Sequence, residues 1–222
     1  MTPGTTGKRI RECVVLLHGL ARSRRSMAGM ERAVTADGYA ACNIGYPSTR
    51  HPLDELAERF VLPEIHSRIG RGVGPIHFVT HSMGGILVRV LTERQPGFPI
   101  GRVVMLSPPN KGSEIVDRLG GLRLFAALYG PAGRQLGTGR ESVPNRLGPA
   151  KFELGVITGD RALDPLLSLL VPGPNDGRVS VESAKLAGMR DFRVLHAPHP
   201  FIMRNREALR QTLHFLRHGL FS

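Results

Sequence analysis

Residues 76 to 86 read IHFVTHSMGGI, an apolar run that ends in a histidine and a serine and is followed by two glycines. The run predicts a buried strand, and the segment MGGILVRVLTER after Ser82 has the apolar spacing of a helix. Each glycine costs a helix about 1 kcal/mol relative to alanine, so Gly84 and Gly85 make sense if a side chain there would clash. We therefore predict a sharp strand-to-helix turn that exposes the Ser82 hydroxyl, with a plain helix N-cap as the alternative.

Apolar runs of strand length recur along the chain. They are CVVLL (13–17), YAACNI (39–44), IHFVT (76–80), VVMLS (103–107), LGVIT (154–158) and FRVLH (192–196). Segments of helical period lie between them, one of which we expect Pro63 to interrupt, and the last has Gly219 near its end. Strands that alternate with helices indicate a parallel sheet covered on both faces. We predict an α/β fold with three layers, α/β/α, and a mostly parallel six-stranded sheet.

The length of 222 residues suits a single domain, 1–222. Residues 110–151 form the longest segment between predicted strands, and a glycine-rich part of it contains an apolar helix expected from Leu122 to Tyr129. Loops of that length are usually functional or mobile. The segment is either a lid-like insertion or a surface excursion that covers an edge of the sheet.

The formal net charge is +12, carried mostly by arginine. The densest group, ARSRRS at 21–26, has no aromatic residues between its cations, so no nucleic-acid partner is expected. A solvated surface is the simpler interpretation, and peripheral contact with an anionic membrane is the alternative.

Apolar runs, cysteines and short motifs bear on the cellular location and on the need for a metal or cofactor. The longest apolar run, LLSLLV, is too short to span a bilayer, and the polar N-terminus lacks the pattern of a signal peptide. Cys13 and Cys42 lie in apolar runs, which favours buried free thiols and a cytoplasmic location. The sequence contains no CxxC, HExxH or phosphate-loop pattern, so we expect neither a metal nor a cofactor.

Polar motifs follow several of the predicted strands. THSMGG occupies 80–85, HGL occupies 18–20, and an aspartate and then a histidine occur in the region 174–199. Ligands of open parallel sheets bind beyond the carboxyl ends of the strands. These motifs, in the order Ser, Asp, His, resemble the α/β-hydrolase fold and, within it, the small bacterial serine lipases and esterases. One departure is Thr80, which stands where the usual G-x-S-x-G has glycine.

The resemblance makes Ser82 the nucleophile, and a serine hydroxyl needs a histidine to take its proton. His199 precedes the final helix in the sequence HPFIM, which resembles the context of the family's catalytic histidine; His196, at the end of FRVLH, is the alternative. His81 adjoins Ser82, but neighbouring side chains at a strand end point opposite ways, so we expect it in the wall of the site. His18 is expected to have a structural role in the HG turn.

The histidine needs a carboxylate that fixes its tautomer. Asp176, in NDGRVSV, resembles the acid-bearing loop of these hydrolases, and Asp160, which follows LGVITG, is the alternative. The resemblance also implies an oxyanion hole made by the backbone N–H groups of Leu20 and Met83, with Ala21 as the alternative to Leu20.

The resemblance thus implies a serine hydrolase that cleaves carboxylic esters through a Ser-His-Asp triad and an acyl-enzyme. Its partner is expected to be a small-molecule or lipid ester. A thioesterase or acyltransferase with the same triad, and a non-catalytic relative that binds lipid or an anionic surface, are the alternatives.

Overall fold

The computed structural model describes residues 12–69 and 74–222; the N-terminal segment for which we expect no signal peptide lies mostly outside them. The strands are β1 (Cys13–Leu17), β2 (Ala40–Ile44), β3 (Ile76–His81), β4 (Ile100–Leu106), β5 (Leu154–Gly159) and β6 (Asp191–Leu195). They form one parallel sheet in the order β2-β1-β3-β4-β5-β6. The predicted six-stranded α/β sheet is confirmed, with β4 beginning three residues before the predicted run.

Helices lie on both faces of this sheet. They are α1 (Ala28–Ala36), α2 (Leu53–Glu55), α3 (Leu62–Ile69), α4 (Met83–Glu93), α5 (Glu114–Leu119), α6 (Arg123–Arg134), α7 (Val143–Arg146), α8 (Pro165–Ser168), α9 (Val181–Ala184) and α10 (Arg206–His218). Two 3₁₀ turns, Arg24–Met27 and His199–Arg204, precede α1 and α10. As predicted, α10 ends at Gly219, which adopts φ 76°.

Alternate residues of each strand enter different cores, as the two-residue period of a strand requires. Val14 and Leu16 of β1 are fully buried with α1 and α10, whereas Val15 and Leu17 are fully buried with α2, α3 and α4. A strand buried on both sides needs a continuous apolar run, which is why the strands are visible in the sequence.

Pro63 does not interrupt its helix, so that prediction was wrong. Helices α2 and α3 are joined by a π-helical stretch, Leu56–Val61, and Pro63 is the second residue of α3. In a regular α-helix a proline ring collides with the carbonyl group four residues earlier. The wider π turn directly before Pro63 gives the ring room, and the helical run continues to Ile69.

The segment 110–151 folds as α5, α6 and α7. The predicted helix from Leu122 to Tyr129 is the first part of α6, which kinks at Gly130 (φ 62°, ψ −163°). Arg89 of α4 is buried and donates hydrogen bonds to the backbone oxygens of Asn110 (2.9 Å) and Leu147 (2.6 Å). This one side chain therefore ties both ends of the segment to α4, and burial lowers its pKa to about 10.

Candidate active site

Ser82 lies at the tight turn between β3 and α4. Its backbone has φ 52° and ψ −124°, a conformation that a non-glycine residue rarely adopts, and its N–H donates to the Leu106 oxygen at 2.8 Å. A Cβ atom on Gly84 would lie 2.7 Å from the Leu17 oxygen, and one on Gly85 would lie 3.0 Å from the Met105 sulfur. A side chain at Gly84 would thus collide with the backbone of β1, and one at Gly85 would fit tightly against Met105. Ser82 has the strained backbone of an exposed turn rather than that of a plain N-cap.

Thr80 fits the strand without disturbing this turn. It is fully buried in β3 and pairs with Leu17 on one side and Met105 on the other. A glycine does approach the serine closely, but it is Gly19, in the turn after β1. A Cβ atom on Gly19 would lie 3.1 Å from the Ser82 Cβ atom. Thr80 thus keeps its place in the sheet, although its buried hydroxyl has no hydrogen-bond partner in the described structure.

Three of the predicted side chains meet in one chain of hydrogen bonds. The Ser82 hydroxyl donates to His199 Nε2 at 3.1 Å, and His199 Nδ1–H donates to Asp176 Oδ2 at 2.8 Å. Asp176 is 1% exposed and His199 is 5% exposed, while Ser82 stays partly accessible. The arrangement gives the serine hydroxyl a basic nitrogen and gives that nitrogen a fixed tautomer.

The Asp176 carboxylate is held in place by its own loop. Its Oδ1 accepts from the N–H groups of Arg178 (3.0 Å) and Val179 (2.9 Å), and its backbone oxygen accepts from the His199 N–H (3.1 Å). A carboxylate fixed by two backbone N–H donors orients the imidazole at little further entropic cost.

Asp160 and His196 are brought together elsewhere. His196 Nδ1 lies 3.0 Å from Asp160 Oδ1, and the His196 side chain is 76% exposed. Neither residue lines the cavity at Ser82. A second Asp-His pair thus forms after the same two strands but points to solvent.

His81 is in the wall of the site, as predicted. Its Nε2–H donates to the His199 backbone oxygen at 3.0 Å, so Nδ1 carries no proton in the neutral ring. Burial, the nearby His199 and, to a smaller extent, Arg22 hold the pKa of His81 well below its usual value. His81 therefore stays neutral and supports the loop that carries His199.

His18 supports the turn after β1. Its ring stacks on Tyr46 with 4.0 Å between ring centroids, its Nε2 accepts from the Tyr46 N–H at 3.4 Å, and the Tyr46 hydroxyl donates to the His18 backbone oxygen. Burial lowers the pKa of His18, so the ring remains neutral. Its structural role agrees with the prediction.

Leu20 and Met83 border the serine from two sides. Leu20 follows β1 and lines the cavity, and Met83 is the first residue of α4, where an N–H group has no partner within the helix. In the described part of the chain no acceptor takes the Leu20 N–H, whereas the Ala21 N–H donates to Ser48 Oγ at 3.1 Å. Leu20 is thus the better placed donor of the two alternatives.

A cavity of about 270 Å³ opens at Ser82. The segment 110–151 supplies much of its apolar wall, including Ile115, Val116, Phe125 and Leu136. Arg22, Tyr129 and Arg178 also line it, and sequence reasoning did not single them out. For Arg178 a signal existed, because it lies two residues after the predicted acid.

Within residues 12–69 and 74–222, no three His, Cys, Asp or Glu side chains cluster as metal ligands would. Over those same ranges, no helix combines the length and the apolar character needed to cross a membrane.

The sequence matches no protein-family model and no curated protein. Solved structures do match. The mature form of Bacillus licheniformis lipase BlEst2 superposes with a TM-score of 0.69 at 22% sequence identity, over 98% of this chain and 96% of the lipase. Phospholipase PlaB from Legionella pneumophila has a TM-score of 0.73 at 16% identity, over 94% of this chain and 59% of PlaB.

A third similar structure is the type II thioesterase BorB from the borrelidin biosynthetic cluster. It has a TM-score of 0.59 at 17% identity, over 94% of this chain and 92% of the thioesterase. At such identities the likeness concerns the fold. Together with the parallel sheet and the motif order, it shows that the chain has the α/β-hydrolase fold.

Proposed function

We propose that the chain is a serine hydrolase that cleaves carboxylic esters through Ser82, His199 and Asp176. The observation that carries the proposal is the hydrogen-bond chain Ser82–His199–Asp176 beside a cavity that Ser82 and His199 themselves line. The fold shared with lipases, a phospholipase and a thioesterase supports it.

Acylation follows from this geometry. His199 Nε2 takes the proton of the Ser82 hydroxyl, and the oxygen attacks the ester carbonyl carbon. The negative charge that develops on the carbonyl oxygen is stabilised by the N–H groups of Leu20 and Met83. His199 then gives its proton to the departing alcohol, which leaves an acyl group on Ser82.

Deacylation repeats these steps with water as the nucleophile. His199 takes a proton from the water, the hydroxide adds to the acyl carbon, and the serine regains its proton as the acid leaves. Asp176 stabilises the imidazolium in both halves through the 2.8 Å bond to Nδ1.

Covalent labelling tests the role of Ser82 as the nucleophile. A fluorophosphonate probe is expected to label the protein, and Ser82→Ala is expected to abolish labelling because it removes the attacking oxygen. His199→Ala is expected to slow labelling about 1,000-fold or more, since the base is lost. Labelling is measured by mass spectrometry, and 4-nitrophenyl ester hydrolysis is followed in parallel.

His196→Ala is the matched control, because it removes a histidine that already has an aspartate partner but points to solvent. It is expected to label at the rate of the unmodified protein. Labelling of the Ser82→Ala variant at the rate of the unmodified protein would contradict the proposal.

A thioester substrate is the second candidate, favoured by the similarity to the thioesterase BorB. The same triad attacks either carbonyl group, so the two functions differ only in the leaving group. Rates for an oxygen ester and a thioester of the same acyl group distinguish them.

A further inference from the structure

The cavity at Ser82 is lined by two cationic side chains, Arg22 and Arg178. Its other lining residues include no aspartate or glutamate, so within the described part of the chain no carboxylate faces these cations across the cavity. The Asp176 carboxylate is taken up by its bonds with His199 and with backbone N–H groups. The open space beside the serine therefore has positive charge on one part of its wall, while Ile115, Phe125 and Leu136 are among its apolar lining residues.

Arg178 is fixed in this position by several contacts. Its backbone oxygen accepts from Ser113 Oγ at 2.8 Å, and its Nη1 donates to the Tyr129 hydroxyl at 3.1 Å. The guanidinium carbon also lies 5.8 Å from the centre of the Tyr129 ring. A guanidinium has five N–H donors, and in the described structure Arg178 uses its side chain for that single hydrogen bond.

Arg22 reaches the site from the opposite loop. Its backbone N–H donates to the Gly19 oxygen at 3.2 Å, which closes the turn that carries Leu20. Arg22 is an exposed residue, and it lines the cavity together with Ser82 and His199. No acceptor for the Arg22 side chain occurs among residues 12–69 and 74–222.

Several arginines outside the site have a carboxylate partner. Arg102 and Arg190 share the Glu153 carboxylate, Arg210 pairs with Glu207, and Arg217 pairs with Asp37. Arg178 is half-buried and has no carboxylate partner in the described structure. A positive charge that is partly removed from water is stabilised by a bound anion.

We propose that the substrate is an ester that also carries an anionic group, a carboxylate or a phosphate, bound by Arg178 and Arg22 while its apolar part contacts Ile115, Phe125 and Leu136. This inference rests on the proposed ester hydrolysis and adds to it the chemical class of the substrate. Two guanidinium groups with free donors match the oxygen atoms of a carboxylate or phosphate. The planar fork of Arg178, held by Tyr129, is oriented before the substrate arrives.

Matched ester pairs test the inference. For the carboxylate, kcat/KM is compared between 4-nitrophenyl hexanoate and the 4-nitrophenyl monoester of adipic acid, which differ in a terminal carboxylate. For the phosphate, the pair is 1-hexanoylglycerol and its 3-phosphate. We expect the protein to prefer the anionic member of at least one pair, and the pair that shows it identifies the anion.

Arg178→Gln is expected to lower the ratio of anionic to neutral kcat/KM about 10- to 100-fold, the range for loss of one hydrogen bond to a charged group. Arg178→Lys keeps the charge but not the fork and should retain part of the preference. Arg118→Gln is the matched control, because Arg118 is exposed on α5 and does not line the cavity. It removes the same net charge and is expected to leave the ratio and the activity unchanged. A ratio that Arg178→Gln leaves unaltered, or one that Arg118→Gln lowers equally, would overturn the inference.

A binding measurement separates this inference from the proposed function. Isothermal titration calorimetry measures the binding of monohexyl phosphate and of hexanol to the Ser82→Ala protein, which lacks the nucleophile. Binding of the phosphate alone, weakened by Arg178→Gln, supports the anion site even if no ester is cleaved. Conversely, hydrolysis of neutral esters together with no phosphate binding would overturn the anion site and leave ester hydrolysis standing.

Discussion

Two Asp-His pairs lie in the described part of this chain, and they differ in their surroundings. Asp176–His199 and Asp160–His196 have similar separations, 2.8 Å and 3.0 Å, between oxygen and nitrogen. Asp176 and His199 are buried beside Ser82, whereas His196 is largely exposed. Only a pair excluded from water and next to a hydroxyl has the electrostatic strength and the geometry for proton transfer.

At this scale we predict opposite results for two conservative substitutions. Asp176→Asn should lower kcat about 10,000-fold, because the amide no longer fixes the Nδ1–H tautomer or stabilises the imidazolium. Asp160→Asn should change kcat by less than about twofold. Ester hydrolysis is measured for both, with circular dichroism to verify folding. Loss of activity in Asp160→Asn but not in Asp176→Asn would contradict the assignment of Asp176.

Among the elements, β3 and α4 form the unit on which the site depends. Helix α4 lies so close to β1 that the Leu17 backbone oxygen occupies the space of a Gly84 side chain. Every residue of α4 from Met83 to Leu91 is buried, so the helix has little freedom to move away. Close approach at its first turn sets both the exposure of Ser82 and the direction of the Met83 N–H.

A pair of glycine substitutions tests this close approach. Gly84→Ala should lower the free energy of unfolding by about 1–3 kcal/mol, the cost of overpacking, and should reduce ester hydrolysis as Ser82 shifts. Gly29→Ala, in α1, places its Cβ atom in open space and should raise stability by up to about 1 kcal/mol. Urea denaturation of both variants measures the difference. Equal free energies of unfolding for the two variants would contradict the prediction, because they would show that α4 can shift to make room for the added methyl group.

For the whole molecule, neutral buried histidines link stability to pH. Burial lowers the pKa of His18 and of His81, so the folded state binds fewer protons than the unfolded state below pH about 6.5. Their contribution to stability is complete above that pH and is lost as the pH falls toward the lower folded pKa values. The partners of Glu182 and Glu207 lower the pKa of both carboxylates from 4.5 to about 2, so their contribution to stability is lost only as the pH falls below 4.5.

We therefore expect the free energy of unfolding to fall between pH 6.5 and pH 5, by up to about 1.4 kcal/mol per pH unit for each such histidine. His81→Gln should reduce this slope, whatever its effect on stability at pH 7.5. His218→Gln, at an exposed position of α10, is the control and should leave the slope unchanged. Urea denaturation at several pH values measures the slopes. An identical slope in His81→Gln and the unmodified protein would contradict the prediction.

Several parts of the fold could be predicted from the sequence because they depend on adjacent residues. A strand buried on both faces needs a continuous apolar run, and a helix that starts against a strand needs small residues, so the six strands and the turn at Ser82 have local signatures. The prediction for Pro63 was wrong because the rule about proline applies to regular α-helices, and the sequence does not reveal the π-helical stretch before it.

The order of strands and helices and the turn at Ser82 thus follow from runs of adjacent residues. The aspartate and the histidine beside that serine depend on the folded chain, since His199 is 117 residues away along the sequence and is positioned by packing among loops. The fold also places Arg178 at the cavity with Tyr129, whereas Arg210, for example, pairs with Glu207. Burial and charge pairing depend on neighbours in space, and the residues next along the chain do not specify those neighbours.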